Sequence, residues 1–284
     1  MVSPIRVAGY HSSPGGIGLS LRVEDGYQIS YTAPNGEVWG LSYPTVAESE
    51  VQRVVLAEDG LSGATATLEE TEVESVNRYG SRMAGFKLPA FDVTTGVIIT
   101  SDVMPLGRQE AAWRNAWSPF KTGKMTVVAR DGANRWTPAR LVSMPDVPYE
   151  LRRRRYWETS VTWKLASGCW FGATQRYFDT VTLVAPGDLP PSLRLRWTGE
   201  ESHVTFPDGR KVNFPVFGSE RIINLDFGMS GQVTKPDGTV DTNVWSGLQG
   251  KVQGMTLTPH ETYEWVLGAG MSLEVTPRYL SPWG

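Results

Sequence analysis

A chain of 284 residues, 40% apolar and 20% charged, is long enough to bury a sizeable core as one large all-β domain or as two ordinary ones. Its formal net charge of −3 supplies no attraction for duplex nucleic acid, and 30 Gly and 19 Pro spread along the chain point to short strands joined by tight turns. No apolar run approaches the ~20 residues of a membrane span, and Met1-Val2-Ser3-Pro4-Ile5-Arg6 lacks the order of a secretory signal, so folding in a cytoplasm without membrane insertion is expected.

The first clear element is Tyr31-Thr32-Ala33-Pro34-Asn35-Gly36-Glu37-Val38-Trp39-Gly40-Leu41, which reads as a hairpin turning at Asn35-Gly36. Farther on lie Glu69, Glu70, Glu72 and Glu74. On a strand, Glu70, Glu72 and Glu74 share one face at a spacing of about 7 Å, a solvated edge that discourages unwanted strand pairing. A glycoside hydrolase would need two carboxylates converging on a groove, and no aromatic platform lies near these in sequence. One segment reads as helix, Arg108 to Trp117, with Trp113 and Trp117 four apart, Gly107 before it and Ser118-Pro119 after it.

Strand-like runs follow at Met125–Arg130 and Arg135–Val142 around Asp131-Gly132. A boundary is drawn where Pro145 and Pro148 give way to Arg152-Arg153-Arg154-Arg155, dividing the chain into modules 1–154 and 155–284. Four like charges in a row read as a solvated junction or a partner-facing edge. Period-two alternation then dominates. Trp157, Thr159, Val161, Trp163 and Leu165 share a face, as do Leu193, Leu195 and Trp197, then Ile223, Leu225 and Phe227, and near the end Met271, Leu273 and Val275. Asp208-Gly209 and Asp237-Gly238 read as hairpin tips, so the fold class is mainly β, with meander or jelly-roll connections.

Motifs for chemistry fail on named residues. His11, His203 and His260 have no ligand spacing, and the Asp-Gly pairs belong to no calcium loop. Gly250-Lys251 is followed by Val252, with Trp245 where a phosphate loop needs glycine. Gly228-Met229-Ser230-Gly231-Gln232 is not a nucleophile elbow. Cys169, between Gly168 and Trp170, reads as a small buried thiol without a disulfide partner. No catalytic residue, metal ligand or cofactor is therefore expected.

The eleven tryptophans are the compositional oddity. Trp157, Trp163 and Trp265 sit in strand-like runs and read as core. Trp39, Trp136 and Trp283 lie near turns or the chain end and, with Arg152, Arg153, Arg154 and Arg155, are the candidate protein-interface residues. A carbohydrate-binding module at the host envelope is the alternative, with Trp197, His203, Arg210 and Asn213 as its grouping in sequence.

Taken in order, several segments resemble the distal tail (minor tail) proteins of long-tailed, siphovirus-type bacteriophages, particularly those infecting actinobacteria. They are the hairpin Tyr31–Leu41, the helix Arg108–Trp117, the strands around Asp131-Gly132, the run Tyr156–Leu165 with Cys169-Trp170-Phe171, and the finish Val275-Thr276-Pro277-Arg278-Tyr279-Leu280-Ser281-Pro282-Trp283. The resemblance implies an N-terminal β-barrel or sandwich-like domain that oligomerises, and a C-terminal galectin-like β-sandwich pointing outward. It implies a homo-oligomeric ring of six at the distal end of the virion's tail, assembled in the host cytoplasm. Such a ring joins the tail tube protein to tail-tip or baseplate proteins and encircles the tape-measure protein or DNA passage. Larger members carry carbohydrate-binding insertions, for which 155–284 leaves no room.

Overall fold

The computed structural model describes residues 27–42, 54–74, 79, 81–101, 104–129, 132–151, 154–226, 228–229 and 231–283. Contacts divide the chain into unit 1, Met1–Trp170 with Leu280–Gly284, and unit 2, Phe171–Tyr279.

Unit 1 contains β1 (Gln28–Thr32), β2 (Val38–Gly40), β3 (Val54–Ser62), β4 (Glu69–Glu74), β5 (Ser81–Lys87) and β6 (Phe91–Thr100). These are followed by α1 (Leu106–Asn115), β7 (Gly123–Val128), β8 (Asn134–Ser143) and β9 (Tyr156–Leu165), and β10 (Trp170–Phe171) leads out of the unit. Antiparallel pairing runs β2-β1-β7-β8-β9-β6-β3. The Leu56 N–H on β3 donates to the carbonyl of Leu41, just past β2, at 2.7 Å, so the path closes on itself like a barrel.

Alternation fills the interior. Tyr31, Val93, Val97, Ile99, Met125, Val127, Val161, Trp163 and Leu165 are all buried, and the Trp163 indole donates to Thr95 Oγ1 at 2.9 Å. Burying one such apolar side chain is worth roughly 1.5–3 kcal/mol. The division read at 154/155 is corrected, because β9 belongs to unit 1. It is paired along its length with β6, from Phe91↔Leu165 to Thr100↔Tyr156. The proline and arginine stretch before it is a connection within the unit.

Helix α1 begins and ends earlier than the expected Arg108–Trp117. Pro105 takes the N-cap position, where its missing N–H costs nothing, and Gly107 lies inside the first turn. At the other end the Ala116 N–H is shared between the Ala112 and Trp113 carbonyls, tightening the last turn before Pro119. Leu106, Gln109, Glu110 and Trp113 form its buried face. Trp113 meets Tyr31, Trp39 and Trp117 at centroid distances of 6.2, 5.3 and 5.6 Å, while Tyr31 stacks on Trp117 at 3.8 Å. Burial holds the Tyr31 hydroxyl far above its usual range, and it donates to the Ala116 carbonyl at 3.1 Å.

The C-terminal tail belongs to unit 1. Arg135 on β8, 9% exposed, donates from one guanidinium nitrogen to the carbonyls of Ser281 and Trp283 at 2.8 and 2.7 Å. The Ala66 N–H donates to the Leu280 carbonyl at 2.7 Å. Replacing Arg135 by Ala is expected to destabilise unit 1 by roughly 1.5–3 kcal/mol, the scale of charge-assisted hydrogen bonds. Hydrogen exchange should show faster exchange at 280–283, and unchanged protection there would refute the clamp.

Unit 2 contains β11 (Gln175–Tyr177), β12 (Thr180–Val184), β13 (Leu189–Trp197), β14 (Ser202–Thr205), β15 (Lys211–Phe214), β16 (Arg221–Asn224) and β17 (Val233–Thr234). The series ends with α2 (Thr242–Leu248), β18 (Thr262–Leu267) and β19 (Met271–Tyr279). One sheet has the order β17-β16-β13-β19-β11 and the other β12-β18-β14-β15. Their inner faces make one core. Leu193, Leu195, Trp197, Ile223, Leu273 and Val275 come from the first sheet, and Leu183, Val204, Phe214, Trp265 and Leu267 from the second. This is a β-sandwich. Leu225 is buried as the alternation required, and Phe227 lies outside the described residues.

A second helix, α2, was not expected. Asp241 caps it by accepting the Val244 N–H at 3.2 Å, and the other carboxylate oxygen accepts from Arg221 Nε at 2.8 Å. The Val244 N–H, and after it Arg221, hold the Asp241 carboxyl below the usual carboxylate range against the opposing effect of desolvation. A folded value below the unfolded one means that this stabilisation is complete above about pH 4 and is lost as pH falls through the folded value. Asp241→Asn should therefore flatten the acid side of unit 2's stability profile, measured by urea unfolding at a series of pH values. Identical acid-side slopes in the two proteins would count against it.

Candidate interaction surfaces

The residues read as interface candidates have different fates. Trp39 is a correction. The register Tyr31↔Trp39 turns both rings inward, and Trp39 is 5% exposed against Trp113. Trp136 is half-buried, with Lys124 Nζ 4.9 Å above its ring. Trp283 is half-buried edge-on to Tyr27 at 4.7 Å. Arg154 and Arg155 are exposed, with the Arg154 guanidinium 5.2 Å over the half-buried Trp157 ring, whereas Arg152 and Arg153 lie outside the described residues.

The grouping considered for a sugar does not assemble. His203 and Asn213 face each other across β14 and β15, but Trp197 is fully buried and its indole donates to the Glu200 carbonyl at 2.6 Å. Arg210 is paired with Asp208 at 2.6 Å and lies 5.2 Å over Phe206. Trp197 and Phe206 are both buried and so neither is free to stack on a pyranose. Cys169 is buried, and among the described residues no group of three or more His, Cys, Asp or Glu could hold a metal ion. Among them, too, no helix is long and apolar enough to cross a membrane.

Two features of unit 1 were not assembled by sequence reasoning. The first is an arm. Among the described residues β4 and β5 pair only with each other, from Glu69↔Lys87 to Glu74↔Ser81, and every residue of β4 is exposed. Glu70 lies opposite Phe86, so Glu70, Glu72, Glu74 and Phe86 share one face. Phe86 is 43% exposed, and none of the four glutamates has an ion-pair partner among the described residues. An isolated two-stranded hairpin is marginally stable in water, which makes this arm a segment that gains from a partner.

The second feature is a groove of about 650 Å³ beside the first turn of α1. Pro105, Leu106, Arg108, Val147, Tyr149 and Arg154 line it. Tyr149 is fully exposed, and Arg108 has no ion-pair partner among the described residues. Glu110, also in the lining, is already paired with Arg114 at 2.8 Å. The lining therefore combines apolar side chains with a net positive charge. Elsewhere on the unit, Phe120 is 93% exposed in the loop after α1. In unit 2 the exposed apolar side chains include Phe178, Val216 and Phe217. Such isolated exposed aromatics carry no periodic signal, whereas the arm's acidic alternation was visible in sequence.

No family model and no curated protein matches the chain. Solved structures do. The Dit (gp 19.1) protein of phage SPP1, described as a paradigm of the hub adsorption apparatus in phages infecting Gram-positive bacteria, is similar with a TM-score of 0.59 at 11% identity. That match covers 89% of this chain and 98% of the SPP1 protein. A chain of the phage P2 baseplate in its activated conformation is similar with a TM-score of 0.51 at 7% identity, covering 88% of this chain and 98% of that one.

Proposed function

Starting from a fold shared with phage hub and baseplate proteins across both units, we propose that this chain is a non-enzymatic structural protein of a phage virion, a hub at the distal end of the tail. The single observation carrying the reading is the extent of the likeness, 89% of this chain against 98% of the SPP1 protein. A match of one sandwich alone would say little, since sandwiches host many functions.

In this reading unit 1 builds a homo-oligomeric ring, six-fold as in the family resembled, and unit 2 faces outward toward tip or baseplate proteins. The tail tube protein sits against the ring, and the tape-measure protein passes through it. The phage is of the siphovirus type with an actinobacterial host. The arm supports assembly, because among the described residues it pairs with no other strand and a two-stranded hairpin is marginal by itself. Heterologous contacts that close under rotation produce such a ring.

Mass photometry of the purified chain, alone and mixed with the tail tube protein of the same phage, tests the reading. A defined ring-sized species is expected, and cryo-electron microscopy of the particle should show several copies around the tail axis at its tip. A chain that stays monomeric in both samples and is absent from the tail tip would overturn it.

A further inference from the structure

We propose that the β4–β5 arm of one copy docks, by its acidic face, into the groove beside α1 of the neighbouring copy. The inference rests on the ring reading above and names the contact that closes it. The arm offers Glu70, Glu72 and Glu74 with Phe86 on one face. The groove offers Arg108 and Arg154 beside Val147, Pro148 and the fully exposed Tyr149. Charge and apolar character are thus complementary between two different patches of the same unit.

The sign of the charges also fixes the kind of contact. An isologous dimer through the arm would set glutamates against glutamates and is repelled, whereas arm into groove is head-to-tail and propagates around a ring. Among the described residues β4 and β5 pair with no other strand, and every residue of β4 is exposed. Charged residues along β4 blunt simple strand addition at its edge, leaving side-chain recognition across the face as the mode of docking. Glu110 does not spoil the groove, because Arg114 neutralises it. Phe86 supplies the apolar anchor, meeting Val147 and Tyr149 of the next copy.

The test is a charge-reversal cycle on the full chain. Glu70→Arg with Glu72→Arg is one variant, Arg108→Glu with Arg154→Glu the second, and all four changes together the third. Self-association is read by mass photometry over a concentration series, with thermal melts confirming that each variant folds. Like charges brought together cost several kcal/mol, so each double variant should weaken association about a hundred-fold or more. The quadruple variant should recover most of the loss. Phe86→Ser, at an exposed position, should weaken association without lowering the melting temperature. An unchanged ring in both double variants overturns the docking while leaving the hub reading intact. Loss in both without recovery in the quadruple variant overturns it as well, since the residues then serve other contacts. A wild-type chain that is monomeric even with tail tube protein overturns both the docking and the hub.

Discussion

Trp113→Ala is expected to destabilise unit 1 by about 3–5 kcal/mol, the range for emptying a buried aromatic site. The ring is 1% exposed and makes edge contacts with Tyr31, Trp39 and Trp117 together, so its loss opens the centre of a four-ring cluster. A helix of ten residues is marginal by itself in water, which makes α1 dependent on this anchor. Because Leu106 and the first turn of α1 line the groove, a loosened helix should also disturb the groove's shape. Urea unfolding followed by near-ultraviolet circular dichroism is the measurement. A loss below about 1 kcal/mol would show that the cluster repacks and that α1 is held by other contacts.

Gly199→Ala is expected to cost unit 2 about 2–5 kcal/mol, adding left-handed backbone strain to overpacking. Gly199 has φ +93°, and a Cβ there would stand 2.5 Å from both the backbone nitrogen and oxygen of Ser219. Neither atom belongs to a flexible side chain, so the backbone itself must move. The Gly199 carbonyl accepts from the N–H groups of Phe217 and Gly218 at 2.6 and 3.0 Å, which couples the strain to the loop carrying Phe217. The Phe217 ring in turn lies 5.0 Å beneath the Arg221 guanidinium. Hydrogen exchange should show lost protection centred on 198–221, with unit 1 unaffected. Wild-type protection throughout that span would refute the close approach.

What could be read in sequence follows physical range. Leu193, Leu195 and Trp197 alternate with arginines, and period two is a local property that survives without knowledge of partners. The same holds for Glu70, Glu72 and Glu74. The boundary at 154/155 failed because the partner that keeps β9 in unit 1 is β6, beginning at Phe91, and no local signal reports a pairing across that separation. Helix α2 was missed because its seven residues include Gly247 and its stability depends on the Arg221–Asp241 pair, another long-range contact. Trp39 was misjudged for a related reason. Nearness to a turn suggests exposure, but hairpin register decided which way the ring points. The groove joins residues from before β6's successor helix to the segment preceding β9, and sequence order alone does not bring Leu106 to Tyr149.

The return of Leu280–Gly284 to unit 1 makes unit 2 an insertion, entered after Trp170 and left after Tyr279. The two crossings are held together at their unit 2 side by the Gly172 N–H donating to the Pro277 carbonyl at 2.9 Å. A tensile load applied to unit 2 is therefore divided between two covalent connections. On one side it pulls along β10, and on the other it reaches residues 280–283, where the Arg135 guanidinium grips the Ser281 and Trp283 carbonyls and so shares in resisting the load.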